Sequence, residues 1–341
     1  TSFAERWAWF WGNRFTVSAR DNHLRMVAGA FEREATRPHI FGRFEDMLVA
    51  STLHPAMIYY LDNVKSVGPN SAFSRMYGGK HNENLGREVL ELHTLGVGGG
   101  YTIDDITALS YGLTGWTHGS PKQGYRTVFK KNRHEPEPAI MLGKTYPVHG
   151  PEQIHNMLAD LARHPSTALN IAIKLAAHFI PGTPPQSAIV QLKNCFLETE
   201  GDLKALAICL VSLDNVWSNE AWIFKRPDEY VVSVGRALPA WEDHFNPKIN
   251  RLLGQPLMQA PGPDGWEQRG DDWINTENIL IRLGWLRRAL QSLPSWINAE
   301  FFMQEALGGH VSRQTAQVLT QPLLRNELLT LGLMSPEFLR R

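Results

Sequence analysis

Apolar side chains recur every three to four positions through most of this 341-residue chain, and this period restricts the fold more than any other feature. The segment GPEQIHNMLADLARH is typical, because Ile154, Met157, Leu158 and Leu161 fall on one face of a helix. Strand patterns are scarce: YRTVF and AIMLG flank a polar turn and are expected to pair as one hairpin over residues 125–143. The pattern therefore predicts a mainly α fold, a multi-helix body with at most small β-hairpins.

Local signals mark several helix ends. Pro151 suits a first helical turn, Asp202 is an expected N-cap, and Thr102 with Asp105 forms a capping box for DDITALSYGLTGW. Further helices are expected over the ranges 21–34, 41–53, 228–238, 276–293 and 319–331. We expect one domain over residues 1–341, and the alternative is two intimate lobes with a seam in the Pro- and Gly-rich stretch near 117–150.

Charge and hydropathy argue against two classes of partner. Lys+Arg and Asp+Glu each total 34 and no polybasic run is present, so nucleic acid is not an expected partner. The apolar stretch ALNIAIKLAAHFI is shorter than the roughly 20 residues that a membrane helix needs, and it contains a lysine, so no membrane span is expected. Cys195 and Cys209 cannot form a closed zinc site alone; we expect reduced thiols, with a single disulfide as the alternative.

Residues 81–95, HNENLGREVLELHTL, are a helical segment with an unusual density of polar groups. On a helical wheel at 100° per residue, one arc roughly 140° wide carries Glu83, Asn84, Arg87, Glu88 and Glu91. Asn82 and His93 lie beside the apolar side of this wheel. The Glu–Arg–Glu spacing is that of an exposed i, i+4 ladder, and the alternative is a working site. His93 is either a hydrogen-bonded core histidine or a ligand.

These segments together resemble a bacterial family catalogued as domain of unknown function 1800. The resemblance covers nearly the whole chain and rests on FWGNRFTVSA, HPAMIYYLDN, NENLGREVLELHTLGVGGGYT, DDITALSYGLTGW, GDLKALAICLVS, PGPDGW and SPEFLRR. It implies a mainly helical fold, no established activity, and a site on the polar arc of residues 82–93. One departure is Arg14, because the family often has histidine after the asparagine that stands here at position 13, so that histidine's role does not carry over.

The resemblance also bears on location and partners. Family members are similar to exported proteins, periplasmic or secreted, and usually carry a further N-terminal portion, so a chain that begins at Thr1 resembles a truncated member. The family often neighbours a sulfatase- or phosphatase-like family, which implies such a partner and chemistry on the cell envelope or on extracellular polymers.

The polar arc favours an enzyme, a hydrolase, over a binding protein. Glu88 and Glu91, one turn apart, can raise each other's pKa and divide acid and base roles with His93 beside them, while Arg87 can hold an anionic group. Candidate contacts to an anionic or glycan-type substrate are Asn82, Glu83, Asn84 and Trp266. Because the resemblance places a whole family's polar order on this arc, we expect it to line a closed cleft, where Arg87→Ala would leave buried carboxylates unpaired.

Two alternatives remain open at this point. A divalent metal held by Glu88, Glu91 and a histidine is chemically possible, although the spacing lacks the Glu-x-x-His pairs of di-iron bundles. A non-catalytic binding or partner subunit for a sulfatase- or phosphatase-like protein is the other, since eleven tryptophans offer stacking surfaces. Trp266 and Trp273, in the polar loop PGPDGWEQRGDDW, are the two that we expect to be exposed.

Overall fold

The structure is a computed structural model that describes residues 2–147, 150–217, 222–238, 248–295, 298–299, 306–308 and 311–341. Within these residues it is mainly α, with seventeen α-helices and two small antiparallel sheets, which confirms the predicted fold class. None of the described helices is both long enough and apolar enough to cross a membrane.

The first eleven helices follow one another from residue 3 to residue 211. Their bounds are α1 Phe3–Arg14, α2 Asn22–Phe31, α3 Phe44–Thr52, α4 Pro55–Tyr60, α5 Ala72–Tyr77, α6 Asn84–Glu88, α7 Ile103–Leu113, α8 Pro151–Arg163, α9 Pro165–Phe179, α10 Gln186–Glu198 and α11 Leu203–Val211. The remaining described helices are α12 Pro227–Ala237, α13 Lys248–Leu252, α14 Thr276–Leu290, α15 Arg313–Leu319, α16 Arg325–Leu333 and α17 Pro336–Leu339. Two π-helical segments extend α2 and α6, over Glu32–Thr36 and Val89–His93.

The helix-end signals predicted at Pro151, Asp202 and Thr102 are confirmed. Pro151 stands in the first turn of α8, the Asp202 side chain accepts from the Ala205 amide, and Thr102 and Asp105 form the reciprocal capping box of α7. The helix predicted over 319–331 is wrong at its start: α15 ends at Leu319 and α16 begins only at Arg325, because Pro322 lacks an amide hydrogen and cannot continue a helix from the preceding turn.

Two of the four short strands, β2 and β3, fall in the segments predicted as strands, but the predicted pairing between them is wrong. Strand β1, Trp116–His118, pairs with β2, Thr127–Phe129, and β3, Ala139–Met141, pairs with β4, Lys144–Tyr146. YRTVF and AIMLG therefore do not form one hairpin. The close turn Leu142-Gly143, with both residues at positive φ, connects β3 directly to β4.

The chain divides into two units. The larger unit consists of residues 3–217 and 258–266, and the smaller of residues 1–2, 218–257 and 267–341. Residues 117–150 all belong to the larger unit. Part of the core of the larger unit is an aromatic cluster from the start of the chain. Its members are fully buried: Trp7, Phe10 and Trp11 of α1, and Phe15 directly after α1.

The smaller unit has its own buried centre around Tyr230 of α12. The Tyr230 ring makes edge contacts with Trp285 and Phe338, and the Arg282 guanidinium lies 4.8 Å from its centroid. Arg341 makes a buried ion pair with Glu229 at 2.9 Å.

The two cysteines belong to the larger unit, on adjacent helices α10 and α11. Both are free thiols and half-buried. Burial and a hydrogen bond with Cys209 raise the pKa of the Cys195 thiol to about 12.

Candidate functional site

The polar arc lies on α6 and the π-helical segment that continues it. Asn82 Oδ1 accepts a hydrogen bond from the Asn84 amide at 2.8 Å, so the first asparagine supplies an acceptor where the helix begins. Thr94 Oγ1 donates to the Val89 carbonyl at 2.7 Å, five residues back, and so closes the wide π turn. Asn84 is exposed, while Asn82, Arg87 and Glu88 are half-buried.

The π turn changes which side chains face the core. At 100° per residue an unbroken α-helix would turn Leu92 toward the apolar side and Leu90 away from it, yet Leu92 is half-buried and Leu90 is fully buried. A π turn holds more residues than an α turn, so every side chain after Val89 is rotated from its expected direction. This turn also carries His93 into the core.

Glu83, Arg87 and Glu91 form the ion-pair ladder that their spacing predicts. Arg87 Nη2 lies 3.2 Å from Glu83 Oε2, and Arg87 Nη1 lies 3.5 Å from Glu91 Oε1. The three side chains keep 40%, 32% and 24% of their surface exposed, for Arg87, Glu83 and Glu91 respectively. The expectation of a closed cleft over this ladder is therefore wrong, because all three groups remain in contact with solvent.

Glu83 ties the start of α6 to its surroundings. Its carboxylate accepts from the Thr107 hydroxyl of α7 at 3.1 Å and lies 3.3 Å from His81 Nε2. The hydrogen bond from His81 and that from Thr107 hold the pKa of this carboxyl below its usual range. Glu83 thus has structural partners on three sides, including Arg87.

Glu88 occupies a different environment from the ladder. Burial raises the pKa of its carboxyl, the nearby carboxylates of Glu91 and Asp264 raise it further, and Arg87 acts in the opposite direction. The Tyr60 phenol shares this neighbourhood: burial raises its pKa, and Asp264 and Glu88 add to that effect. Glu91, Asp264 and Tyr60 therefore lie near enough to Glu88 to be coupled to it by charge, although Asp264 is itself exposed.

Asp264 reaches this neighbourhood through a docked loop. The Asn13 side chain donates to the Trp266 carbonyl and accepts from the Trp266 amide, each at 2.8 Å, across 253 positions of sequence. A Cβ at Gly265 would lie 2.4 Å from the Asn13 carbonyl oxygen, so only glycine allows this close approach, and Gly265 has a φ of +85°. Asn13 and Asp264 were both missed as site residues, although Asn13 lies in FWGNRF and Asp264 in PGPDGW, two segments that carry the family resemblance.

A second set of bonds holds the start of the same loop. The Ala19 amide donates to the Met258 carbonyl at 2.6 Å, and Ser18 Oγ donates to the Ala260 carbonyl at 2.9 Å. Arg20 Nη2 donates to the Ala260 and Pro261 carbonyls. The residues after α1 therefore anchor the loop 258–266 along most of its length.

His93 is fully buried, so its environment is unlike that of an exposed acid–base group. Burial and then the charge of Arg14 lower the pKa of its imidazole to about 3. Neither ring nitrogen has a hydrogen-bond partner among the described residues, and the ring packs against Phe15 with centroids 4.9 Å apart. His93 is thus a core histidine, without the hydrogen bond expected of one.

The remaining predicted site residues have mixed positions. Trp266 is half-buried, and Trp273, which was expected to be exposed, is buried at 7% exposure and donates from Nε1 to the Glu267 carbonyl. Among the tryptophans that the structure describes, the exposed ones are instead Trp217 and Trp222. Across the part of the chain that the structure describes, no three His, Cys, Asp or Glu side chains are grouped so that they could hold a metal ion.

Comparisons with known proteins agree with the resemblance in the sequence. The model of the family described as "Protein of unknown function (DUF1800)" matches residues 1–340. No curated protein and no solved structure matches the chain. With a match over essentially its whole length, this chain belongs to the DUF1800 family.

Proposed function

We propose that this protein is a hydrolase whose reactive centre consists of the carboxylates of Glu88 and its neighbours Glu91 and Asp264. The observation that carries the proposal is the contrast between Glu88, half-buried with a raised pKa, and Glu91, which is paired with Arg87. Two carboxylates one turn apart in different environments are what general acid and general base catalysis require. Glu88 would donate a proton to the leaving group, and Glu91 would activate the attacking water.

The groups around this pair support recognition of an anionic substrate. Arg87 is 40% exposed, so its guanidinium can turn from the carboxylates of the ladder to a sulfate, phosphate or carboxylate of the substrate. Asn82, Asn84 and Glu83 offer amide and carboxylate partners for hydroxyl groups. Trp266, in the docked loop with Asp264, offers an apolar face for a sugar ring.

The proposed substrate is an anionic or glycan-type polymer of the cell envelope or extracellular space. This choice follows the family resemblance, whose members are similar to exported proteins. We accordingly propose that the protein acts in the periplasm or is secreted. A divalent metal is not required by the acid–base scheme, and its use remains a separate proposal that a chelator titration would test.

The test begins with a panel of sulfated, phosphorylated and uncharged glycans, with products followed by mass spectrometry. Once a substrate is found, Glu88→Gln and Glu91→Gln should each abolish turnover without lowering the melting temperature. Glu137→Gln, which removes an exposed carboxyl elsewhere in the larger unit, is the matched control and should keep full turnover. If Glu88 is the acid, activity falls as pH rises through its pKa. Full turnover in both site variants would place the chemistry elsewhere.

A second candidate function, a partner subunit for a sulfatase- or phosphatase-like protein, is favoured by one observation. Consecutive helices of the larger unit expose apolar side chains, namely Leu169 and Ile173 on α9, Val190 on α10 and Ile208 on α11. Exposed apolar groups on neighbouring elements are typical of interaction surfaces. Co-purification with such a protein, lost on Ile173→Asp and Ile208→Asp but not on Glu88→Gln, would support this function over the enzymatic one.

A further inference from the structure

Arg14, the last residue of α1, is a buried cation next to His93. Arg14 is only 5% exposed. Its closest hydrogen-bond contact to His93 is long, with Nη2 3.5 Å from the His93 carbonyl oxygen. Its Nε has no hydrogen-bond partner among the described residues, and neither do the two ring nitrogens of His93. Two basic side chains therefore lie together in the core with unused polar atoms.

The charge of Arg14 is also without compensation from the described part of the chain. Burial alone lowers the pKa of its guanidinium to about 10, and no carboxylate acts against that shift. The charged group that acts on His93 is Arg14 itself, which disfavours a second positive charge there. Because charged groups buried in proteins are paired or hydrogen-bonded, an unpaired guanidinium at this depth is an exception that needs a cause.

The unused atoms are mostly donors. A guanidinium only donates, and a neutral imidazole donates from one nitrogen and accepts at the other. Trp11, one turn earlier on α1, also has a buried Nε1 with no partner among the described residues. The set has more donors than acceptors and no negative charge, so an acceptor with negative charge would satisfy both the hydrogen bonds and the charge. The planar fork of an arginine fits two oxygens of one oxyanion.

We propose that Arg14 and His93 form a binding site for one small oxyanion group, a carboxylate, sulfate or phosphate. Arg14 supplies the charge and the donor fork, and His93 donates from one ring nitrogen. Because both side chains are buried, the proposal is limited to one small group. This site is separate from the carboxylates around Glu88 and does not depend on the proposed hydrolase function.

The proposal is tested by stability in the presence of inorganic phosphate, sulfate and acetate. Unfolding is measured in urea, which adds no ions, and ionic strength is held constant with sodium chloride. A ligand that binds only the folded protein lowers the unfolded-to-folded ratio in proportion to its concentration above Kd. We therefore expect this ratio to fall about tenfold for each tenfold rise of the preferred oxyanion above its Kd. No dependence on any oxyanion at constant ionic strength would overturn the proposal.

Two variants separate a specific site from general charge screening. Arg14→Gln should lose the oxyanion dependence. Arg163→Gln, which removes an exposed arginine paired with Glu45 at 2.8 Å, should keep it. An equal oxyanion response in Arg14→Gln and the native protein would contradict the assignment.

A spectroscopic readout on the native protein covers the case in which Arg14→Gln fails to fold. Histidine labelled with ¹⁵N reports the state of the His93 ring directly. A bound anion favours the protonated imidazole, so saturating phosphate should raise the pKa of His93 and shift its ring nitrogens. Unchanged ring signals at saturating phosphate, sulfate and acetate would show that no oxyanion binds there.

Discussion

At the scale of single residues, the ionised Glu88 side chain should destabilise the folded protein at neutral pH. Its pKa is raised in the folded state, first by burial and then by Glu91 and Asp264. A carboxyl with a raised pKa contributes its stabilisation below the ordinary glutamate value of about 4.3 and loses it as pH rises through the folded value. Glu88→Gln should therefore be more stable than the native protein at pH 7, with the difference shrinking toward pH 4.

Urea unfolding at several pH values between 4 and 7 measures this difference. Glu137→Gln, the exposed-carboxyl control, should not show a growing gain with pH. A Glu88→Gln variant that is less stable than the native protein at pH 7 would mean that the ionised carboxyl is held by favourable contacts. Stability gained at the cost of turnover is the pattern expected of a catalytic group in an unfavourable environment.

Arg87 should matter little for stability, in contrast to Glu88. Its pairs with Glu83 and Glu91 are partly solvated, with Arg87 40% exposed. Exposed i, i+4 pairs contribute about 0.2–0.5 kcal/mol each, so Arg87→Ala should lower the free energy of unfolding by less than about 1 kcal/mol. Denaturant unfolding at neutral pH checks this value. A loss of about 3–5 kcal/mol, typical of a broken buried pair, would instead support the closed cleft expected from the sequence.

At the scale of elements, α6 packs against α7 because Gly86 has no side chain. A Cβ at position 86 would lie 2.3 Å from Ser110 Oγ and 3.1 Å from the Ser110 backbone nitrogen. Gly86→Ala should therefore force the two helices apart and lower the free energy of unfolding by about 1–3 kcal/mol. Gly12→Ala is the control, because Gly12 is also helical and a Cβ there meets nothing within 4 Å.

Thermal or urea unfolding of both glycine variants makes the comparison. Alanine is the better helix former by about 1 kcal/mol, so Gly12→Ala should be neutral or stabilising. Equal effects of the two substitutions would show that propensity, and not the contact with Ser110, controls the result at position 86.

Most elements were predictable because their causes are local. Helical period and capping side chains such as Asp202 act over a few residues, and the sequence shows them directly. The π turn at Val89–His93 was not predictable, since a wheel at 100° per residue assumes an unbroken α-helix. The strand partners were missed for a related reason: three-residue strands carry little pattern, and their pairing depends on the turns between them.

At the scale of the whole molecule, the candidate site is assembled from segments far apart in sequence. Glu88 and its ladder come from one helix and could be proposed from spacing alone. Asp264 and the Asn13 contact that holds its loop depend on a packing arrangement across 253 positions, for which a single sequence carries no signal. The carboxylate cluster is therefore a property of the folded larger unit and not of the motif at residues 82–93.

The contact between Asn13 and the loop should control the titration of Glu88 from a distance. Asn13→Ala removes both bonds to the Trp266 backbone, so the amides of residues 262–266 should exchange faster with solvent. With Asp264 no longer held near Glu88, one cause of the raised pKa is lost and the Glu88 pKa should fall. Carbon-13 NMR of the Glu88 carboxyl measures this fall. Asp264→Asn should lower the same pKa without faster exchange in the loop, whereas an unchanged Glu88 titration in both variants would exclude Asp264 from the site.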